Sequence, residues 1–155
     1  MRRTLPVLFF LGCLLALATF SQAQGGQPKE MVESIYARFT DPAGPGMSDF
    51  AMLRPIAAPG LAELLDKETA CQEKGEEICK YDFSILVNGQ DYELTELEIS
   101  QGPTTAKNQE VTAQFLNFGQ PSEIIFSFAL YGDAWLLEDI RKTGEYPVSL
   151  AELLQ

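Results

Sequence analysis

The chain has 155 residues, a length typical of one domain. It carries 11 Lys and Arg against 22 Asp and Glu and no His, so its formal net charge at pH 7 is −11. This acidity argues against nucleic acid as a partner, because phosphate binding depends on clustered Lys and Arg, and against anionic membrane surfaces. The absence of His removes the commonest general base near neutral pH and the commonest metal ligand.

The start of the chain has the layout of a secretory signal. Arg2 and Arg3 precede an apolar run over residues 5–20, and Ser21-Gln22-Ala23 then places small residues at the two positions that a signal peptidase recognises. The run is shorter than the ~20 apolar residues of a spanning helix. We therefore predict that residues 1–23 are a signal peptide.

Cleavage there leaves a single exported domain over residues 24–155, in the periplasm or outside the cell, with no membrane attachment. An alternative makes Cys13 the lipidated first residue of an anchored protein, because Leu11-Gly12 before it resembles a lipobox. Against this alternative, Phe10 occupies the position where Leu is usual.

Export would leave Cys71 and Cys79 as an even pair in an oxidising compartment, which predicts a disulfide. Closing so short a loop stabilises the fold by roughly 2–3 kcal/mol in the chain-entropy model. A redox-active pair is the alternative, but the spacing is not C-x-x-C and the acidic neighbours Glu73, Glu76 and Glu77 disfavour a thiolate. These glutamates are predicted to be a solvated helix end, or else an acidic docking patch for a basic protein.

The first half of the chain has helical periodicity. An amphipathic helix is predicted from Pro28 to a point before Asp41, and Ser48 is placed to cap a short second helix. Pro59-Gly60 opens a third helix, and near the end of the chain Ser149 begins a capping box with Glu152.

From Tyr81 onward, apolar and polar residues alternate with the period of strands. The predicted strands cover Tyr81–Ile85, Tyr92–Ile99, Val111–Phe115, Ile124–Leu130 and a last segment from Trp135. Turns are predicted at Asn88-Gly89, at 119–122 and at Gly132-Asp133, and the sheet segment from Tyr92 is expected to end at 101–103. A slip in alternation predicts a bulge near Thr95-Glu96. Helices followed by strands joined through short turns predict an α+β fold, with helices packed on an antiparallel sheet of about four strands and a short C-terminal helix.

Asp82, Gln90 and Asp91 are the best candidates for ligand binding. Two carboxylates and an amide around a turn can hydrogen-bond a polar ligand or offer oxygen ligands to a hard cation. The structural alternative is that Asp91 and Asn88 stabilise the turn through side-chain bonds to the backbone. The EF-hand spacing is missing, so neither a metal nor a cofactor is predicted.

Trp135 and Asp139 are the second pair of candidates. They share the parity of Leu137 on one strand, so all three are expected on one face. If that face lined a cavity, burial would favour the protonated carboxyl of Asp139 and suit it to proton transfer. The structural alternative has Asp139 accepting hydrogen bonds at a strand end and Trp135 packing in the core.

The final third of the chain resembles the end of the nuclear transport factor 2-like superfamily, in an apolar strand, a Gly/Asp turn and then Trp135-Leu136-Leu137-Glu138-Asp139-Ile140. Tyr36-Ala37-Arg38-Phe39 in the opening helix fits the same plan. Upstream, Tyr81-Asp82-Phe83 and Asn88-Gly89-Gln90-Asp91-Tyr92 resemble an exported bacterial family defined by a domain of unknown function. The resemblance implies a long curved sheet wrapped round helices, enclosing a conical cavity, and makes a homodimer through the sheet one expected assembly.

These features together predict a small exported binding protein without catalytic activity. It would hold a small ligand or present an acidic surface to an envelope protein partner, for example as an immunity or inhibitor protein against a basic toxin or enzyme. The alternative is an isomerase or dehydratase with Asp139 or Asp82 as base. Enzymes of that kind in the superfamily often use an Asp–His pair, and this chain has no His. An apolar pocket with one of these carboxylates at its floor would favour the enzyme, and a cavity filled by Phe and Leu side chains would eliminate it.

Overall fold

A computed structural model describes residues 26–75 and 79–155 of the chain. The predicted signal peptide over 1–23, the alternative lipid site at Cys13, and Glu76 and Glu77 lie outside the described residues. Within the described part, no helix is long and apolar enough to cross a membrane.

Three helices come first, as predicted. Helix α1 spans Pro28–Phe39, α2 spans Asp49–Leu53 and continues into a 3₁₀ turn at Arg54–Ile56, and α3 spans Pro59–Lys74. The Ser48 hydroxyl caps α2 by accepting the Ala51 N–H at 3.3 Å, which satisfies one of the unpaired donors of a helix start. Helix α3 ends at Gly75, whose φ of 64° is the left-handed conformation that glycine adopts at least cost.

A five-stranded antiparallel sheet follows the helices. Its strands are β1 (Leu94–Thr104), β2 (Asn108–Asn117), β3 (Gln120–Tyr131), β4 (Ala134–Lys142) and β5 (Val148–Ser149), and each pairs with the next along the chain. A short helix α4 (Leu150–Leu153) ends the domain, and its Ser149 cap accepts the Glu152 N–H at 3.1 Å. The predicted α+β class is confirmed, with one strand more than the expected four.

Strand β1 confirms one prediction about irregularity and corrects another. The register against β2 shifts between Thr95 and Glu98, and Glu96 has a φ of 53°, so the predicted bulge is present. The strand does not end at 101–103 but continues to Thr104 through a second register shift. Pro103 is tolerated because β1 is the terminal strand of the sheet, where a missing N–H costs no ladder bond.

The predicted strand over Tyr81–Ile85 is wrong. Those residues form a loop, whose nearest approach to a strand is a single bridge between Ser84 and Gly89. Three consecutive apolar residues, Ile85, Leu86 and Val87, are all buried. Successive residues of a strand point to opposite faces, so a segment that buries three in a row cannot be a half-exposed strand.

The inner face of the sheet is covered by the helices and this loop. Alternate residues of β2, β3 and β4 point inward and meet apolar side chains of α1, α2 and α3. The buried sheet residues are Val111, Ala113, Phe115, Ile124, Phe126, Phe128, Leu137 and Ile140, and the helix residues facing them include Val32, Ile35, Tyr36, Phe50, Leu53, Leu61 and Leu65. The interior between helices and sheet is therefore filled by aromatic and aliphatic side chains.

The predicted alignment of Trp135, Leu137 and Asp139 on one face is wrong. Leu137 pairs with Phe128 and Asp139 with Ser127, so Glu138 is an extra residue in β4 with no partner of its own in the register. This bulge turns Asp139 to the outer face while Leu137 stays in the core, because one added residue reverses the side-chain alternation.

Phe126 is the central test of this packing. It is fully buried and contacts the ring of Tyr36 edge-on at a centroid distance of 6.1 Å. We expect Phe126→Ala to lower the free energy of unfolding by about 3–5 kcal/mol, measured by urea denaturation, because it leaves a cavity in a filled core. The same truncation at the exposed Tyr146 should change it by less than about 0.5 kcal/mol. Equal effects at the two positions would contradict the assigned inner face.

Candidate functional site

The segment 79–93, named here the anchored loop, carries three of the five predicted site residues. The predicted disulfide is confirmed: Cys79 is bonded to Cys71 at the end of α3, with a Cα–Cα distance of 5.9 Å. Next along the chain, the Tyr81 N–H donates to Oε1 of the buried Glu68 at 2.8 Å, and the Gln72 amide donates to the Tyr81 carbonyl at 3.2 Å. Helix α3 thus fixes the start of the loop covalently and by two hydrogen bonds.

Asp49, in the first turn of α2, fixes the middle of the anchored loop. Its carboxylate accepts hydrogen bonds from the hydroxyls of Tyr81 and Ser84 and from the Leu86 N–H. Burial raises the pKa of Asp49 above its ordinary value, and these three hydrogen bonds oppose that rise because they favour the charged form. The carboxylate is therefore held in place by donors on the loop that it anchors.

Two tyrosines complete this polar cluster. Burial, together with the neighbouring Asp49 charge, raises the pKa of the Tyr81 and Tyr36 hydroxyls, so both remain neutral donors. The Tyr36 hydroxyl donates to the Leu86 carbonyl at 2.8 Å, and the Tyr81 hydroxyl also accepts the Ile85 N–H at 2.7 Å. Among the described residues, no buried side-chain nitrogen or oxygen lacks a partner. The cluster is complete in itself, which is typical of a structural network.

Asn117, at the end of β2, fixes the last part of the anchored loop. Its amide nitrogen donates to the Val87 carbonyl at 2.9 Å and to the Asp91 carbonyl at 3.3 Å, and its amide oxygen accepts the Glu93 N–H at 2.8 Å. Gly89 packs so closely here that an added Cβ would lie 3.1 Å from the Asp91 carbonyl oxygen. A single buried amide therefore sets the position of this part of the loop against the β2–β3 hairpin.

Phe118 lies beside this loop, at the tip of the hairpin. With Gly119 it forms a two-residue turn in which both residues have positive φ, 48° and 75°. Such turns favour Asn-Gly, and a bulky side chain in the left-handed region costs roughly 1–2 kcal/mol. The Phe118 ring is nevertheless 56% exposed, and the Phe118 N–H is held by the Glu93 carbonyl at 3.1 Å. The turn therefore presents an aromatic ring to solvent in a conformation that aromatic residues seldom adopt.

The anchored loop and Phe118 together line a shallow groove of about 390 Å³, named here the tip surface. Its lining residues are Asn88, Gly89, Gln90, Asp91, Asn117, Phe118, Gln120 and Ser122. Within this group the Asn88 amide donates to the Ser122 hydroxyl at 3.1 Å. The lining contains one carboxylate, that of Asp91, and no Lys or Arg.

The three predicted residues of the loop are close together, as expected. Gln90 and Asp91 line the tip surface, and the Gln90 amide donates to the carbonyl of the exposed Asp82 at 3.3 Å. Asn117 and Asn88 supply hydrogen bonds that hold this turn, and Asp91 itself is exposed.

Trp135 and Asp139 lie elsewhere and do not join that group. Trp135 pairs with Leu130 near the opposite end of β3 and packs against the core. Asp139 accepts hydrogen bonds from the Ser149 hydroxyl at 2.8 Å, the Ala151 N–H at 3.0 Å and its neighbour Ile140 N–H at 2.8 Å. Asp139 thus holds the start of α4 against β4, which is the structural role foreseen as its alternative.

The exposed groups of the tip surface are suited to non-covalent binding of a partner or ligand. An aromatic face, a carboxylate and amide groups complement cations and hydrogen-bond donors. In residues 26–75 and 79–155, no three His, Cys, Asp or Glu side chains lie where they could share a metal ion.

Comparisons with known proteins give one weak structural likeness. No protein-family model and no curated protein matches the chain. Among solved structures, the chain is similar to a phospholipid-binding protein from Ralstonia solanacearum, determined in complex with a phospholipid. The two share 15% sequence identity and a TM-score of 0.33, over 84% of this chain and 74% of that one. A likeness of this strength does not indicate what the present chain binds.

Sequence reasoning missed Asp49, Asn117 and Phe118. Asp49 and Asn117 are single polar residues whose partners lie at least 24 positions away, so no local pattern marks them. Phe118 did leave a signal, because Phe-Gly stands between two alternating runs where Asn-Gly is the favoured turn. The sequence pattern predicts the turn at 119–122, whereas in the structure Pro121 and Ser122 belong to β3.

Asp49 should make stability depend on pH. The pKa of Asp49 is raised in the folded state. At a pH between this raised pKa and the unfolded value of 3.8, the folded protein therefore holds a proton that the unfolded protein has released. Stability contributed by this group therefore increases as the pH falls through the folded pKa. Urea unfolding near pH 7 and near pH 4 should show wild type gaining stability relative to Asp49→Asn at the lower pH. A difference between the two proteins that does not change with pH would contradict the raised pKa.

Phe118 should be a residue whose replacement stabilises the fold. Asn adopts the left-handed conformation at lower cost, so Phe118→Asn should raise the free energy of unfolding by roughly 0.5–1 kcal/mol in urea denaturation. The matched control is Tyr146→Asn, at an exposed aromatic with a φ outside the positive region, which should leave the value within about 0.5 kcal/mol. A loss of stability in Phe118→Asn would show that the ring contributes more to packing than its conformation costs.

Proposed function

We propose that the chain is an exported, non-catalytic binding protein that recognises a basic protein partner of the cell envelope at the tip surface. The observation that carries this proposal is Phe118, a largely exposed aromatic residue held at positive φ beside an exposed carboxylate. Backbone strain at an exposed position has no benefit for stability, and strained residues cluster at binding sites.

Export is supported by two independent features. The first 23 residues have the basic, apolar and small-residue order of a secretory signal. Cys71 and Cys79 form a disulfide, and disulfides persist in oxidising compartments. We propose the periplasm or the exterior as the location on these grounds.

The filled interior supports recognition at the surface. The inner face of the sheet meets helix side chains and the apolar residues Ile85, Leu86 and Val87, so apolar side chains pack the described interior beside the sheet. Aromatic residues, Phe among them, are enriched at protein interfaces relative to the rest of the surface. Phe118 is such a residue, and the anchored loop fixes the groove beside it before any partner arrives.

Charge supports a basic partner. The chain has a net charge of −11, and the tip surface contains Asp91 with the exposed carboxylates Asp82 and Glu93 close by in the same loop. A Lys or Arg of a partner would gain from these carboxylates and from the face of the Phe118 ring. An immunity or inhibitor protein against a basic toxin or enzyme is one function of this kind.

The alternative of an isomerase or dehydratase gains no support from the positions of its candidate bases. Asp139 is occupied with hydrogen bonds to α4, and Asp82 lies exposed on the loop rather than at the floor of an apolar pocket.

We also propose membership of the nuclear transport factor 2-like superfamily. Helices that precede and cover one face of a meander sheet support it, although the conical cavity typical of that superfamily is filled here.

Site-specific photocrosslinking tests the proposed function. Phe118 is replaced by p-benzoylphenylalanine in cells that export the protein, and illumination should give one discrete covalent product with an envelope protein. The same replacement at Tyr146, which is 71% exposed against 56% for Phe118, should give none. The yield should fall as salt rises, because ions screen the attraction between unlike charges.

The possible outcomes test the location of the binding site and the charge of the partner separately. Equal products from both positions, or none from position 118, would show that the tip surface is not the recognition surface. A product whose yield is independent of salt would support the tip surface as the binding site but would contradict the proposal that the partner is basic.

A further inference from the structure

The methionines of the described chain share one groove on the helical side of the domain. The sequence has four methionines, and the three after Met1 are Met31, Met47 and Met52. All three line an open groove of about 430 Å³ between α1 and the segment from Met47 to the 3₁₀ turn. We call this the methionine groove. Its remaining lining residues are Gly26, Glu30, Ser34, Ile35, Arg38, Ala51, Pro55 and Ile56.

The three side chains approach the groove from different positions and depths. Met31 lies on α1 and its Cγ would be 3.7 Å from a Cβ added at Gly26, so it packs at one end of the groove. Met52 is only 7% exposed and belongs to the hydrophobic core, whereas Met47, just before the Ser48 cap of α2, is 42% exposed. Each is an unbranched chain with three rotatable bonds, so the thioether sulfurs can move toward a common point.

Thioether sulfur is a soft ligand that selects Cu(I) over the hard cations preferred by carboxylates. In an oxidising compartment thiols are lost to disulfides, and here Cys71 and Cys79 are bonded to each other. Among residues 26–75 and 79–155, methionine is therefore the soft donor that remains available. The thioether is neutral at every pH, so such a site needs no deprotonation and suits a chain without His.

Local charge is compatible with a monovalent cation. Glu30 and Arg38 both line the groove and offset each other, while the chain as a whole is strongly acidic. The Glu30 carboxylate already accepts the Gln27 N–H at 3.4 Å, so it belongs to the start of α1 and is not needed as a ligand. The apolar residues Ile35, Pro55 and Ile56 reduce the access of water, which would otherwise compete for the metal.

We propose that the methionine groove is a Cu(I) site in which Met31, Met47 and Met52 supply the three sulfur ligands. The site is independent of the tip surface, because it lies on α1 and α2 and uses none of the residues of the anchored loop. Filling of an irregular gap by methionine is the competing explanation, and it predicts no metal affinity.

Competition with a chromogenic chelator tests the site directly. The exported, disulfide-bonded protein is titrated anaerobically with Cu(I) held by bicinchoninate, and it should withdraw one Cu(I) per chain. Met47→Leu and Met31→Leu should each weaken Cu(I) binding by at least about tenfold, because each removes a ligand. Tyr146→Leu changes an exposed residue outside the groove and should leave the affinity unchanged.

Methyl resonances provide a second measurement that does not depend on the buried Met52 tolerating substitution. In protein labelled at the methionine methyl carbons, one equivalent of Ag(I), a redox-inert substitute for Cu(I), should shift the signals of all three groove methionines together. Failure to withdraw Cu(I), an unchanged affinity in the Met31→Leu, Met47→Leu double variant, or methyl signals that stay in place would each overturn the proposal.

Discussion

The need to cover the inner face of the sheet determines the rest of this structure. Strands β2, β3 and β4 carry large apolar side chains on that face, and burial of each contributes roughly 1.5–3 kcal/mol. Three helices cover part of the face, and the consecutive apolar residues Ile85, Leu86 and Val87 complete the cover. The conical space expected between helices and sheet is thereby occupied by side chains. Both proposed binding sites lie at the periphery of the domain, one where the hairpin and the anchored loop meet and the other in the groove beside α1 and α2.

A loop that completes a core must also satisfy its own backbone, and polar residues on other elements contribute to this here. Glu68 on α3, Asp49 on α2 and Asn117 on β2 accept from or donate to successive parts of the anchored loop. Buried polar groups are costly unless paired, and in this network each is paired. A segment without regular secondary structure is consequently held by hydrogen bonds to side chains instead of by a strand ladder. The same bonds place Asp91 and Phe118 side by side, so the structural network and the proposed recognition surface are built from one set of contacts.

Patterns within a few residues predicted most of the elements, and contacts between distant residues explain where prediction failed. The helices from Pro28 and Pro59, the Ser48 and Ser149 caps, the bulge at Thr95-Glu96 and the disulfide all follow from local chemistry. The segment Tyr81–Ile85 has the alternation of a strand. The Tyr81 and Ser84 hydroxyls both donate to the Asp49 carboxylate, however, and an extended backbone does not bring these two side chains to one point. Asp139 lies on the face opposite to the predicted one because a single extra residue, Glu138, reverses the side-chain alternation. No sequence pattern distinguishes such a bulge from a regular strand. Within the candidate site, the predicted turn at Asn88-Gly89 pointed to Gln90 and Asp91. Phe118 could be predicted only if the turn between β2 and β3 was assigned to the correct residues.

The irregular course of β1 has a consequence for the behaviour of the protein at high concentration. A terminal strand exposes a row of backbone donors and acceptors on which another copy can polymerise. Here two register shifts, the glutamates 96 and 98 and Pro103 interrupt that row. At the other side of the sheet, Ala57 and β5 bond to β4 and occupy its outer edge. An edge interrupted in this way offers a second copy no continuous row to pair with, which lowers the tendency to form fibres at high concentration.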